Sequence, residues 1–171
     1  MDIRGTGFVL RPWRHGDEAS LVAHADNWNV WINLTDAFPH PYTEGHARRW
    51  IGLCQDEPRR SSQFAIVVDG HAVGGIGFEK GEGIHRRSAL IGYWIGEAYW
   101  GRGIATEALR LVSAHAFRHF EVIRLQAEVL EWNAASVRVL EKAGYTFEGR
   151  LRKSCVKNGD VIDDLIYALI Q

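Results

Sequence analysis

A chain of 171 residues has the length of one domain and can bury a core of its own. Its 20 basic and 21 acidic side chains leave a formal net charge of −1, which excludes a global field drawing nucleic acid or an anionic membrane. The apolar runs are far short of a bilayer span, Met1-Asp-Ile-Arg lacks a signal-peptide layout, and Cys54 and Cys155 are too few and too distant for a stapled secreted scaffold; a single cytoplasmic domain over residues 1–171, with free thiols, is predicted.

In chain order, Phe8–Pro12 reads as a short opening strand, ended by a proline that cannot donate to a ladder. Asp17 is positioned to cap a helix running through Leu21, Val22 and Ala25. Residues 33–42 contain Pro39 and Pro41 and do not support long regular structure. Thr43 then caps a second helix with Ala47, Trp50, Ile51 and Cys54 on one face, and Pro58 closes the segment. Residues 64–68 and 71–78 are strands joined by Asp69-Gly70, a strong hairpin signal.

A strand over Ser88–Ile95 leads into a loop holding Gly101 and Gly103, after which Ala108, Leu109, Val112, Ala116 and Phe120 recur at the spacing of one buried helix face. Arg124–Leu130 is the next strand, joined to the previous one through that helix, so the pair should be parallel with a right-handed crossover. Asn133 opens a short helix with Val137 and Leu140 inward, ended by Gly144. Residues 145–156 and 161–170 flank Asn158-Gly159, again a hairpin turn.

The glycine loop carries the strongest chemical signal. Glycines followed at once by a helix let the backbone approach a ligand, and the first helical N–H groups, unpaired and at the positive end of the dipole, suit an anion such as a diphosphate. A Walker loop needs Gly-Lys-Ser/Thr, and Gly103-Ile104-Ala105-Thr106 has no lysine; a dinucleotide fingerprint fits no better. His115 and His119 have the i, i+4 spacing of a zinc pair but lack the adjacent glutamate and a third ligand, so no metal is expected.

Trp100-Gly-Arg-Gly-Ile-Ala105 resembles the coenzyme A loop of the GNAT acetyltransferases, Gln/Arg-x-x-Gly-x-Gly/Ala, with Trp100 replacing the usual first residue. Together with Ile91-Gly-Tyr-Trp-Ile-Gly96 and Trp132-Asn-Ala-Ala-Ser-Val-Arg-Val-Leu-Glu-Lys-Ala-Gly-Tyr145, in the same order and at similar separations, it looks like the RimJ/RimL branch. The resemblance implies an α/β fold with a mostly antiparallel central sheet, split at one parallel strand pair, and helices on both faces. It also implies an acetyl-CoA-dependent N-acetyltransferase, acting by direct attack of an amine on the thioester.

By the same resemblance, the coenzyme would be held by Tyr93, Trp94 and Ile95, by Gly101, Arg102, Gly103, Ile104, Ala105 and Thr106, and by Asn133 beside the pantetheine, a residue that equally reads as a helix N-cap. Trp28, Trp31, Asn33, Phe38, His40 and Tyr42 would form the acceptor wall, or else simply core. Ser136 would act as thiol partner or general acid, since Leu140 stands where many relatives have a tyrosine. Glu79 is the first choice of base, with Glu128, Glu131, Asp36 and His40 as alternatives; where some relatives supply a carboxylate, this chain has Ser154-Cys155. The acceptor would be a protein N-terminal amine, on a ribosomal protein or another, or a small amine, and the molecule a monomer or homodimer. A non-catalytic acyl-CoA binding or sensing domain is the alternative.

Overall fold

The computed structural model describes residues 2–57 and 59–171; Pro58, expected to close the second helical segment, lies outside them. Eight strands form one sheet among the described residues: β1 (Ile3–Gly5), β2 (Phe8–Pro12), β3 (Gln63–Val68), β4 (His71–Lys80), β5 (Ser88–Ile95), β6 (Arg124–Leu130), β7 (Thr146–Lys157) and β8 (Asp160–Ile170). Their order across the sheet is β1-β2-β3-β4-β5-β6-β8-β7. Only β5 and β6 pair in parallel; every other neighbouring pair is antiparallel. The helices are α1 (Glu18–Ala25), α2 (Trp28–Trp31), α3 (Glu44–Leu53), α4 (Arg59–Ser62), α5 (Ile104–His119) and α6 (Ala134–Lys142).

Side-chain alternation along the strands builds two cores. On β3, Phe64 and Ile66 pack in one core with Leu109, Val112 and Ala116 of α5 and Leu140 of α6. Ala65 and Val67 point the other way, to Leu21 and Ala25 of α1 and Ala47 and Ile51 of α3. Covered on both faces, this strand has the unbroken apolar run expected of a buried strand rather than an alternating one. Leu109 is fully buried, and truncating such a side chain to alanine costs about 2–5 kcal/mol, so the α5 stripe is a main anchor of its helix.

The local signals mostly act as the sequence suggests. Asp69 and Gly70 both have positive φ (48° and 85°), as do Asn158 and Gly159 (52° and 88°), the geometry that matches the twist of two-residue hairpins. Thr43 Oγ1 accepts from the His46 N–H at 3.3 Å while His46 Nδ1 accepts from the Thr43 N–H at 3.1 Å, closing a reciprocal cap on α3. Gly144, at φ 95°, ends α6, and the Tyr145 N–H bonds back to the Leu140 carbonyl at 3.0 Å.

Asp17 departs from expectation. It precedes α1, but its side chain makes no cap; both carboxylate oxygens are taken by the Arg11 guanidinium at 2.7 Å, with both residues buried. The demand of a buried arginine outweighs that of a helix end open to water. Three short elements also escape the sequence reading: β1, the single turn of α4, and the single turn of α2, which Asn27 caps by accepting from the N–H groups of Asn29 and Val30.

Among the described residues no helix is long and apolar enough to cross a membrane.

Candidate functional site

The parallel pair is the origin of the site. β5 and β6 share only three register positions, Ser88 with Arg124, Ala89 with Leu125 and Leu90 with Gln126, although both strands continue beyond them. Past that point β5 stays bonded to β4 as far as Ile95 opposite Gly74, while β6 stays bonded to β8 as far as Leu130 opposite Asp164. The strands therefore part into a wedge whose facing main-chain groups are not used in the sheet.

Beyond the wedge, Gly101 and Gly103 adopt φ 74° and 79°. Side-chain-bearing residues pay about 1–2 kcal/mol for such left-handed angles, which explains glycine at both places. Gly103 is the N-cap of α5 and brings no side chain to the helix end; the first helical bond is from the Glu107 N–H to its carbonyl, at 3.1 Å. Among the described residues no acceptor meets the N–H groups of Ile104, Ala105 or Thr106, leaving three oriented donors at the positive end of a 16-residue helix.

The loop is tied at its flanks, because Trp100 Nε1 donates to the Ile95 carbonyl at 2.8 Å and Arg102 donates to the Ala98 carbonyl at 2.9 Å. A preformed anion cradle of this kind fits a diphosphate such as that of coenzyme A.

One cleft of about 1470 Å³ runs from this cradle through the wedge to the α1/α3 face. Its lining includes Tyr93, Trp94, Ile95, Asn133 and Ser136 together with the cradle residues Gly101, Arg102, Gly103, Ile104, Ala105 and Thr106. At its other end stand Asn33, Phe38, Tyr42 and Glu79. Trp31 is placed behind that wall, stacked on His40 with 5.4 Å between ring centroids and carrying the Lys157 ammonium 3.7 Å from its own. Tyr42 is both wall and core: it is buried against Phe38 at 4.9 Å, and burial pushes its phenol up to about 12.

The two faces of the wedge carry different chemistry. Strand alternation turns Tyr93 toward α6, where its hydroxyl lies 2.8 Å from Ser136 Oγ and 3.3 Å from the Ser136 carbonyl. Asn133 Oδ1 accepts from the Ser136 N–H at 3.1 Å, so the cap also sets the serine's position. Burial raises the Tyr93 phenol well above its usual range, only partly offset by the bond to Ser136, so the phenol keeps its proton and the two hydroxyls stay hydrogen-bonded. Sequence reasoning placed Tyr93 at the site for its backbone and missed its hydroxyl. The available signal was parity, since Tyr93 shares a face with Ile91 and Ile95 and not with Trp94.

The possible bases differ in their engagement. Glu79 is 68% exposed in its side chain and lies 3.9 Å from Arg59. Glu128 is exposed and accepts from Gln126 Nε2 at 3.2 Å. Glu131 is held by Arg150 at 3.1 Å, Asp36 by Lys157 at 2.9 Å, and His40 Nδ1 is 3.5 Å from Asp26. Away from the cleft, His115 sits edge-on to Phe64 and Phe120, with its Nε2 3.1 Å from the Ser61 carbonyl.

A family model described as an acetyltransferase (GNAT) domain matches residues 8–146. The chain is 43% identical over 84 residues to the probable N-acetyltransferase YjcK of Bacillus subtilis, a match covering 49% of this chain and 46% of that protein. It is 31% identical over 111 residues to the ribosomal-protein-serine acetyltransferase of Escherichia coli, covering 64% and 61%. The chain thus spans about half to three-fifths of the length of these two curated relatives. Among solved structures, Mycobacterium smegmatis RimJ in complex with CoA-disulfide is similar with a TM-score of 0.78 at 30% identity, over 95% of this chain and 81% of that one. With a family match over most of its length, a sheet parted at its one parallel pair and a glycine cradle at the head of α5, the chain belongs to the GNAT family of acetyltransferases.

Proposed function

We propose that the protein moves an acetyl group from acetyl-CoA to a primary amine, with a protein N-terminal amine as the preferred acceptor. The observation that carries this reading is the Ser136–Tyr93 hydroxyl pair beside the wedge, lining the same cleft as the free N–H groups of the cradle. The cradle would take the diphosphate, Asn133 and the unpaired edge of β5 would border the pantetheine, and Asn33, Phe38 and Tyr42 would face the acceptor.

The neutral amine attacks the thioester carbon, the C–N bond forms, and the C–S bond breaks as the sulfur receives a proton from Ser136; the proton released by the nitrogen restores the hydroxyl pair through Tyr93, so one amine and one thioester give one amide and one thiol. A protein α-amine of pKa about 8 costs about 1.4 kcal/mol to neutralise at pH 7, against about 4.6 kcal/mol for a lysine near 10.4, so an N-terminal acceptor asks less of the base. The E. coli relative's name, a ribosomal-protein-serine acetyltransferase, supports a protein over a small amine as the acceptor. A non-catalytic sensing domain is the weaker reading: its grounds are the missing tyrosine at Leu140 and the missing carboxylate at Ser154-Cys155, and the Tyr93–Ser136 hydroxyl pair offers a substitute for the first.

The test is a thiol-release screen with acetyl-CoA over peptides bearing free N-termini, polyamines and aminoglycosides, with products identified by mass. Peptides should be acetylated in step with thiol release. Tight coenzyme binding with no acetylated amine anywhere in the panel would return the protein to the sensing class.

A further inference from the structure

The acceptor face of the wedge holds a carboxylate that the sequence did not single out. Asp164 on β8 lies opposite Leu130, the last residue of β6, so it stands at the mouth of the wedge one strand away. It is 9% exposed and lines the cleft. None of the ion pairs among the described residues includes it, in contrast to Glu79, Glu131 and Asp36.

Its side-chain partner is a thiol, Cys155 Sγ, which donates to Oδ2 at 2.6 Å. A bulge in β7 brings the two together. Leu151 is opposite Asp164 and Cys155 is opposite Ile162, so Arg152, Lys153 and Ser154 stand against Asp163 alone. The Lys153 N–H donates to Asp163 Oδ1 at 2.8 Å, and the Asp164 N–H donates to Ser154 Oγ at 3.2 Å, which fixes the bulge. Bulges beside functional sites commonly re-aim a side chain, and this one carries Cys155 to the carboxylate of Asp164.

A carboxylate mostly removed from water without a cation lacks its counter-charge, and a neutral thiol supplies only part of it. An ammonium ion arriving in the cleft would supply the rest. Strand parity puts Asp164 on the α1/α3 face with Glu128, whereas Tyr93 and Ser136 lie on the α5/α6 face. A proton acceptor and a proton donor therefore flank the wedge from opposite sides, the arrangement that transfer from an amine to a sulfur requires.

We propose that Asp164 receives the acceptor's ammonium group and takes its proton, directly or through one water, an assignment that rests on the acetyltransferase reading above. The carboxylate becomes the acid as the ammonium becomes the amine, and it returns that proton to solvent. The amine's second proton leaves as the C–S bond breaks and ends on the released thiol, so one ammonium and one thioester give one amide, one thiol and one proton. Cys155 positions the carboxylate; burial, and then Asp164 itself, hold its thiol above its ordinary range, so it remains a donor. The other titratable groups on this part of the cleft are Glu128 of β6, exposed and bonded by Gln126, and Lys157 of β7, neutralised by Asp36.

The experiment measures kcat/KM for an N-terminal peptide from pH 6 to 9 in the parent, Asp164→Asn and Asp164→Glu, with CoA affinity by calorimetry as the control for folding. Asp164→Asn should bind CoA within threefold of the parent. It should lose about 100-fold in kcat/KM near pH 6.5, the usual worth of a positioned base. The deficit should shrink to about tenfold or less at pH 9, where an α-amine of pKa about 8 is mostly neutral without help. Asp164→Glu should recover part of the loss.

Parallel pH profiles for parent and Asp164→Asn, or rates within threefold at every pH, would overturn the assignment while leaving the acetyltransferase intact. A parent that binds CoA and acetylates no amine overturns the reading beneath it, and the assignment with it. Should Asp164→Asn fail to bind CoA, Asp164→Ser is read by the same two criteria.

Discussion

Removing the Ser136 hydroxyl separates chemistry from packing, because the structure assigns very different costs to the two. In Ser136→Ala, the Tyr93 hydroxyl loses its partner at 2.8 Å but keeps the Ser136 carbonyl at 3.3 Å. The stability cost is then that of one neutral hydrogen bond, about 1 kcal/mol. In a chain of 171 residues this lowers Tm by about 2–4 °C. If the hydroxyl delivers the proton to sulfur, kcat should fall by about 10²–10⁴, which is about 2.7–5.5 kcal/mol of barrier.

Tyr93→Phe should lose a similar factor, and the double variant no more than the worse single, because members of one relay fail together. The assay is steady-state thiol release at saturating acetyl-CoA, beside thermal melts and CoA titration. A Ser136→Ala enzyme within threefold of the parent in kcat, or strictly multiplicative losses in the double variant, would refute the relay.

Two further outcomes concern the fold that holds the site. Asp17→Asn leaves the buried Arg11 guanidinium without its counter-charge, which should cost about 3–5 kcal/mol and lower Tm by about 6–20 °C; a melt shifted by under 2 °C would show that the pair is dispensable. Burial lowers the pKa of His115 below its ordinary 6.5, so as pH falls through 6.5 the unfolded chain binds protons before the folded one and the unfolding free energy drops. Urea melts from pH 8 to 5 should show that decline, and His115→Gln should flatten part of it, with His24, lowered for the same reason, keeping the remainder. An unchanged slope in the variant would remove His115 from the acid response.

Local signals were legible in the sequence, and long-range side-chain geometry was not. Ser88–Ile95 and Arg124–Leu130 stand where their apolar runs predict, the Asp69-Gly70 and Asn158-Gly159 hairpins form, and the expected cradle carries two left-handed glycines at the head of α5. β1 has three residues and α2 four, too few to establish any period. Asp17 read as a cap because capping depends on near neighbours, whereas its partner Arg11 comes from the preceding strand.

The site itself shows the same division. The Tyr93–Ser136 bond joins residues 43 apart in sequence, and the Lys157–Asp36 pair joins residues 121 apart. The bulge that carries Cys155 to Asp164 depends on three residues of β7 facing one of β8. No short-range pattern encodes such a mismatch, and shifting a strand by one residue would turn its side chains to the other face.

Calorimetric titration with CoA, in the parent and in Gly103→Ala, tests most directly whether the free N–H groups at the head of α5 hold the diphosphate. No heavy atom beyond the chain neighbours lies within 4 Å of where the new methyl would sit, so its cost is the left-handed φ of 79° alone, about 1–2 kcal/mol. The parent should bind CoA with a clear heat, and Gly103→Ala about 5- to 30-fold more weakly, because its free loop relaxes out of the left-handed angle and must be forced back into it to bind. No heat with the parent, or equal affinity in the two proteins, would contradict the role given to the cradle.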